Sequence, residues 1–170
     1  MKPNIGSGDS GQTNILGGRR VAKNSLTVEA LGAVDEAASA IGLARSLVTS
    51  PARRELLKGC QLALQKVAAE MAAAGAGRAT DFDFAGASAA IEGEMERIGA
   101  AVVRPTGFVV PGDSPAEAAL HLARALVRRA ERAAVALVSS GVEFEAGAAV
   151  YLNRLSDLLF DAACAEAAGK

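Results

Sequence analysis

Aromatic side chains make up only 4% of this 170-residue chain. Sheet domains draw their packing from Val, Ile, Thr and aromatic residues, so the shortage excludes a β-sandwich reading. Only two cysteines are present, Cys60 and Cys164, too few and too plainly placed for a disulfide framework or a zinc site. Two free thiols suit a reducing compartment, and a cytoplasmic protein is expected. A single histidine, His121, excludes a histidine-built metal centre and reads as a packed or surface residue. The formal charge of −1 gives no positive field of the kind nucleic acid requires, so no nucleic-acid partner is expected. No run of about 18 uncharged apolar residues exists, so no membrane span is expected. The opening Met1-Lys2-Pro3-Asn4 leads into Gly, Ser and Asp, not into the apolar core of a signal peptide.

What the chain has is alanine. The 39 alanines dominate a 51% apolar content, and alanine is the strongest helix former and the smallest residue able to line a close helix contact. The expected fold is all-α, a five-helix up-and-down bundle behind a glycine-rich N-terminal arm. Residues 1–24 are rich in Gly, Ser, Asn and Thr without apolar periodicity and read as a loop or arm. Residues 25–170 read as one helical domain. Ser25 is a plausible N-cap for a first helix, in which Val28, Leu31, Val34, Ala38, Ile41 and Val48 recur at helical spacing up to Thr49-Ser50-Pro51. A second helix is expected from Pro51 to Ala74, ended by Gly75-Ala76-Gly77, and a third from Phe84 to Ile98. Residues 101–113 carry two prolines and two glycines around Phe108-Val109-Val110 and read as an ordered loop with a short extended piece. Ser114-Pro115-Ala116-Glu117 has the form of N-cap, N1 proline and capping-box glutamate for helix four, and a fifth helix is expected from Glu145 to Ala168.

Helix four supplies the strongest functional clue. His121, Arg124, Arg128 and Arg132 share one helical face and repel one another unless an anion faces them. A polyphosphate would satisfy that face, and so would carboxylates on a neighbouring helix. Asp35 lies on a stripe of helix one with Gly32, Ser39 and Gly42; small residues there would let it reach an arginine of helix four in a partly buried pair. The arm reads Gly6-Ser7-Gly8-Asp9-Ser10-Gly11-Gln12-Thr13 and then Arg19-Arg20-Val21-Ala22-Lys23. Glycines allow backbone N–H groups to converge on an anion, hydroxyls add donors, and Arg20 and Lys23 add charge, a composition suited to a phosphate cradle. On helix five, Asn153, Ser156 and Asp157 share a face that continues to Phe160 and Asp161. Phe108, in a turn-rich loop of a chain with few aromatics, fills core or walls a ligand pocket.

Taken in order, these segments resemble the corrinoid adenosyltransferases of the PduO type, also called ATP:cob(I)alamin adenosyltransferases. The likeness rests on Ser7-Gly8-Asp9-Ser10-Gly11 with Thr13, Arg20-Val21-Ala22-Lys23, Val28-Glu29-Ala30 with Gly32 and Val34-Asp35-Glu36, Phe108-Val109-Val110-Pro111-Gly112, Leu122-Ala123-Arg124 leading into Arg128-Arg129-Ala130-Glu131-Arg132, and Leu152-Asn153-Arg154-Leu155-Ser156-Asp157. It covers nearly the whole chain. The resemblance implies a homotrimer with active sites between adjacent subunits, transferring the 5′-deoxyadenosyl group of ATP to cob(I)alamin with release of triphosphate. It implies that Ser7, Gly8, Asp9, Gly11, Thr13 and Lys23 hold the triphosphate with Mg²⁺ among its oxygens, and that Arg128, Glu131, Arg132 and Asn153 complete the nucleotide site. It also implies an Asp35–Arg128 salt bridge that orients the site, and Phe108 closing the lower face of the corrin and displacing its axial base. A corrinoid reductase upstream and a cobalamin-dependent enzyme downstream are the implied partners. The alternative is a non-catalytic trimeric carrier of ATP or corrinoid with the same fold.

Overall fold

The computed structural model describes residues 6, 8–73 and 81–169. Five helices form: α1 Leu26–Leu47, α2 Pro51–Ala73, α3 Phe84–Gly99, α4 Pro115–Ser139 and α5 Ala146–Ala167. Their ends agree with the sequence-based limits to within about two residues, the ordinary spread of a helix terminus; Ala74 lies outside the described residues. The starts are set by short polar side chains that accept otherwise unpaired N–H groups. Ser25 Oγ accepts from Val28 N at 3.4 Å, Asp83 Oδ1 from Gly86 N at 2.8 Å, and Ser114 Oγ from Glu117 N at 3.1 Å. Pro115 occupies the first turn of α4, where its missing N–H costs nothing. Gly141, at φ 88°, ends that helix.

Helix α4 packs between α1 and α5, α2 lies against α1 and touches α5, and α3 packs on α5. The faces that α1 and α4 bury are rich in alanine: Ala30, Ala37 and Ala44 on α1 and Ala123, Ala130 and Ala134 on α4 are fully buried. Larger side chains, among them Leu120, Leu152, Leu155 and Leu159, fill the remaining core. Phe84 sits edge-on to both Phe82 and Tyr151, so half of the few aromatics form one cluster under α3. Beside it, burial pushes the Cys60 thiol up to about 12 even though Tyr151 hydrogen-bonds it. No helix among the described residues is long and apolar enough to cross a membrane.

Two features differ from the sequence reading. The arm contains a two-stranded antiparallel ribbon, β1 Gln12–Asn14 and β2 Arg20–Ala22, with Gln12 opposite Ala22 and Asn14 opposite Arg20, turned by a 3₁₀ segment at Leu16–Gly18. Strands of three residues are too short for an alternating pattern to register. The stripe of α1 expected to approach helix four also faces elsewhere: Gly32, Asp35 and Ser39 are exposed. Thr27, Ala30, Ala33, Val34, Ala37, Ala40, Ile41 and Ala44 are the residues α1 buries, and their recurrence at spacings of three and four makes a broader face than the glycine stripe.

Candidate functional site

The glycine-rich turn of the arm is held by its own backbone. Asp9 N donates to Gly6 O and Gly11 N to Gly8 O, both at 3.2 Å, and Lys23 N donates to Gly11 O at 2.9 Å. Gly6 and Gly11 adopt φ of 87° and 77°, a region where a side chain would be strained. Lys23 reaches back across the turn so closely that a Cβ on Gly8 would lie 3.0 Å from its Nζ. Gly8, Asp9, Gly11 and Lys23 are thus brought together. Arg20 is braced on the adjoining ribbon, donating from Nε to Gln12 Oε1 at 2.7 Å and from Nη2 to Ser10 Oγ at 3.1 Å. Thr13 pairs with Val21 beside them. Ser7 lies outside the described residues.

On α4, three neighbouring arginines have different surroundings. Arg129 donates from Nη1 to Glu36 Oε2 at 2.5 Å and from Nη2 to Glu29 Oε1 at 3.1 Å, and those two carboxylates raise its pKa further. Arg128 and Arg132 are exposed, and among the described residues no carboxylate pairs with either. The expected Asp35–Arg128 pair is therefore not made within the chain. Asp35 sits on the exposed side of α1, whereas Glu29 and Glu36, two turns apart on one face, meet Arg129 instead. Arg124, one turn earlier, lays its guanidinium 5.9 Å from the centre of the Phe160 ring, and its Nε is buried without a hydrogen-bond partner.

Across the α4–α5 seam, Asn153 donates from Nδ2 to Glu131 Oε1 at 3.1 Å and accepts at Oδ1 from Arg154 Nη1 at 2.9 Å. Arg154 is itself tied to Glu92 of α3 at 2.6 Å. Glu131 and Asn153 thus stand together between Arg128 and Arg132 on one side and α3 on the other. Ser156 turns inward and its hydroxyl returns to Asn153 O at 2.9 Å.

Phe108 and Val110 project from the α3–α4 loop into solvent, Phe108 fully exposed. The loop borders a cavity of about 480 Å³ walled by Val103, Pro105 and Val109 from the loop, Glu117 and His121 from α4, and Cys164 from α5. His121 is buried, as its packed reading anticipated, with Nε2 3.0 Å from Glu117 Oε1. Burial lowers its pKa despite the pull of Glu117, with Arg124 adding to the fall. The sequence reading passed over Arg104, whose guanidinium forms a two-bond fork with Asp161 at 2.6 and 2.5 Å. Nothing in its local sequence marks that pair, because the partners are 57 positions apart.

The model of the family described as cobalamin adenosyltransferase matches residues 4–166. The chain belongs to the cobalamin adenosyltransferase family. It is 36% identical over 162 residues to the corrinoid adenosyltransferase PduO of Citrobacter freundii, covering 94% of this chain and 48% of that protein. With the human corrinoid adenosyltransferase MMAB it shares 36% over 161 residues, covering 91% of this chain and 64% of the relative. The chain thus spans about half the length of the first of these relatives and under two thirds of the second. A phenylalanine-to-alanine variant of a PduO-type ATP:corrinoid adenosyltransferase from Lactobacillus reuteri, solved in complex with cobalamin and ATP, superposes with a TM-score of 0.92 at 29% identity, covering 98% of this chain and 94% of that one. Within the cobalamin adenosyltransferase fold, the singled-out residues of this chain form three groups: the arm turn, the α4–α5 seam and the α3–α4 loop.

Proposed function

We propose that this protein transfers the 5′-deoxyadenosyl group of ATP to the cobalt of a reduced corrinoid, cob(I)alamin, and releases triphosphate. The observation that carries the reading is the pair of exposed arginines, Arg128 and Arg132, left without a carboxylate among the described residues while their neighbour Arg129 takes two. Cations kept together on one helix face suit a polyanion, and the related Lactobacillus reuteri enzyme, solved with cobalamin and ATP, points to ATP as that polyanion. The arm turn, with Gly8, Asp9, Gly11, Thr13 and Lys23, is the second anion-binding group, and Arg20 braces it. Ser7 belongs to the same reading by its place in the motif. Glu131 and Asn153, an acceptor and an amide on the seam, have the hydrogen-bonding capacity to fix the nucleoside.

Cobalt(I) supplies an electron pair to the ribose 5′ carbon, the carbon–oxygen bond to the triphosphate breaks, and those electrons leave on its oxygen. No general base is needed. The protein's share is alignment, exclusion of water and stabilisation of charge growing on the leaving group, which Arg128, Arg132 and Lys23 can provide. Mg²⁺ would ride on the triphosphate oxygens. That fits a chain whose described residues contain no group of three metal-ligating side chains, since Mg²⁺ commonly binds through substrate phosphates. Phe108 is assigned to the lower corrin face, where an apolar ring in place of the axial base leaves cobalt(II) four-coordinate and easier to reduce.

A homotrimer with sites between subunits follows from the same reading: Asp35, Arg128 and Phe108 are all exposed, and neither Asp35 nor Arg128 finds an ion-pair partner among the described residues, as expected of groups that a neighbouring subunit completes. A cytoplasmic setting, a one-electron corrinoid reductase supplying the substrate and a cobalamin-dependent enzyme consuming the product complete the proposal. The test is to mix the purified protein with MgATP and chemically reduced cob(I)alamin under anaerobic conditions and follow the visible spectrum. A light-sensitive alkylcobalamin formed in proportion to enzyme is the expected result. Binding of both ligands without that product would leave the carrier reading instead.

A further inference from the structure

We propose that Glu117 and Asp161 are positioning residues that clamp the two ends of the loop presenting Phe108, and so determine how well the ring displaces the corrin's axial base. The inference rests on the reading of Phe108 given above and extends it to two buried carboxylates outside the nucleotide and corrin groups.

Both carboxylates are 1% exposed and lie on different helices, Glu117 in the first turn of α4 and Asp161 late in α5. A carboxylate is seldom buried so completely without a set of donors that satisfies it. Asp161 spends both oxygens on the α3–α4 loop, and Glu117 spends one. Asp161 accepts both arms of the Arg104 fork, at 2.6 and 2.5 Å, and this pairing raises the arginine's pKa further. Glu117 accepts at Oε2 from the backbone N–H of Gly112 at 2.8 Å and of Asp113 at 3.2 Å, and its Oε1 lies 3.0 Å from His121 Nε2.

The form of the Glu117 contact argues for a task beyond starting a helix. In a capping box the glutamate returns to the backbone N–H of its own N-cap, here Ser114. Glu117 bypasses Ser114 and takes the two N–H groups ahead of it, in the loop. His121, one turn further into α4, holds the other oxygen, and its remaining ring nitrogen is buried without a partner. The neutral ring with its proton on Nε2 is the form that satisfies Glu117, and burial favours that form.

Between the clamps run residues 105–111. They make no backbone hydrogen bond to either helix among the described residues, and their apolar members Phe108 and Val110 face solvent. Gly112 sits at φ 134°, a turn shape that a side chain would strain, beside the Glu117 contact. The backbone of the tip is therefore tied only at its ends, with Val109 half-buried against the cavity between them. A cobalt ligand is displaced over distances of about an ångström, and misplacement of that size by a remote change can cost about a hundredfold in rate.

The test uses the full-length protein with Glu117→Gln and Arg104→Gln, singly and together, beside Phe108→Ala. Arg104 is half-exposed, and glutamine there keeps amide donors for the buried Asp161, so this variant tests the clamp even if the glutamate variant folds poorly. Three readouts are taken: the fraction of four-coordinate cob(II)alamin by visible and EPR spectra in the presence of MgATP, kcat against KM for each substrate, and hydrogen exchange of the loop amides without any ligand. The clamp predicts faster exchange in residues 105–113, a smaller four-coordinate fraction, and kcat lower by about tenfold to a hundredfold with KM for ATP unchanged. Unchanged exchange and an undiminished four-coordinate fraction in the double variant would overturn it. So would losses in ATP binding that match the losses in kcat, because those mark general damage. Failure of the underlying reading looks different: the unaltered protein would make no adenosylcobalamin, or Phe108→Ala would keep the full four-coordinate signal.

Discussion

Asn153 of α5 and Glu131 of α4 are joined by a 3.1 Å amide-to-carboxylate hydrogen bond on the same seam from which Arg128 and Arg132 emerge. The bond fixes the amide's orientation and keeps a half-buried carboxylate satisfied. Asn153→Ala removes two side-chain hydrogen bonds, of a kind that contributes about 0.5–1.5 kcal/mol each, and leaves Glu131 short of a donor. The expected outcome is a modest drop in the urea midpoint and a larger drop in affinity for MgATP. Equal affinity in calorimetry would remove the seam from the nucleotide site.

Arg128 and Arg129 are adjacent, and their variants should differ in turnover while both leave stability nearly unchanged. Arg128→Ala deletes an exposed cation that makes no ion pair within the chain, so thermal stability of the monomeric fold should hardly change. Transfer should fall by about 10²–10³, the usual cost of removing one preorganised donor from developing charge. Arg129→Ala breaks both contacts to α1, yet the guanidinium is exposed and screened, so stability changes little and turnover persists. The pair of variants, compared in melting temperature and initial rate, separates the two functions.

How much of this was legible beforehand depends on the range of the signal. Helix limits were readable because caps and apolar periods are local: Ser25, Ser114 and Pro115 do in the structure what their positions announce. The arm's ribbon was not, since Gln12–Asn14 and Arg20–Ala22 are too short to show a period. Pairings between helices were the weak point. Asp35 and Glu36 are neighbours, and only helix rotation decides that Glu36 meets α4 while Asp35 stays outside. Arg104 had no marker at all and Asp161 was read only as the continuation of a polar face of helix five, whereas Glu117 was noticed for the right feature, a cap-proximal carboxylate, but assigned the wrong N–H group.

The alanine-lined α1–α4 contact gives a prediction about the fold alone. Ala37 and Ala130 have no exposed surface, and their helices meet through small side chains. Leucine at either position inserts three further carbons into a contact without room for them. Overpacking of this kind costs about 1–3 kcal/mol, and chemical denaturation of Ala130→Leu should report it as a lower midpoint. Leucine at exposed Ala136, on the same helix, should report almost none.

His121 links stability to pH with a definite sign. Its pKa in the folded protein lies below the ordinary 6.5, chiefly because burial disfavours the imidazolium; Glu117 opposes that shift and Arg124 reinforces it, with Asp113 and Cys164 on the same cavity wall. As pH falls below 6.5 the unfolded chain takes up a proton before the folded one does, so the folded state loses ground. The stabilising contribution is complete above the ordinary value and declines until the folded pKa is passed, below which both states are protonated. Denaturant midpoints measured between pH 8 and about 5 should fall for the unaltered protein, and the fall should be shallower for His121→Gln. It is the difference in slope that isolates the histidine, because other carboxylates titrate equally in both proteins. Identical slopes would mean that His121 takes up its proton as readily inside the fold as outside it.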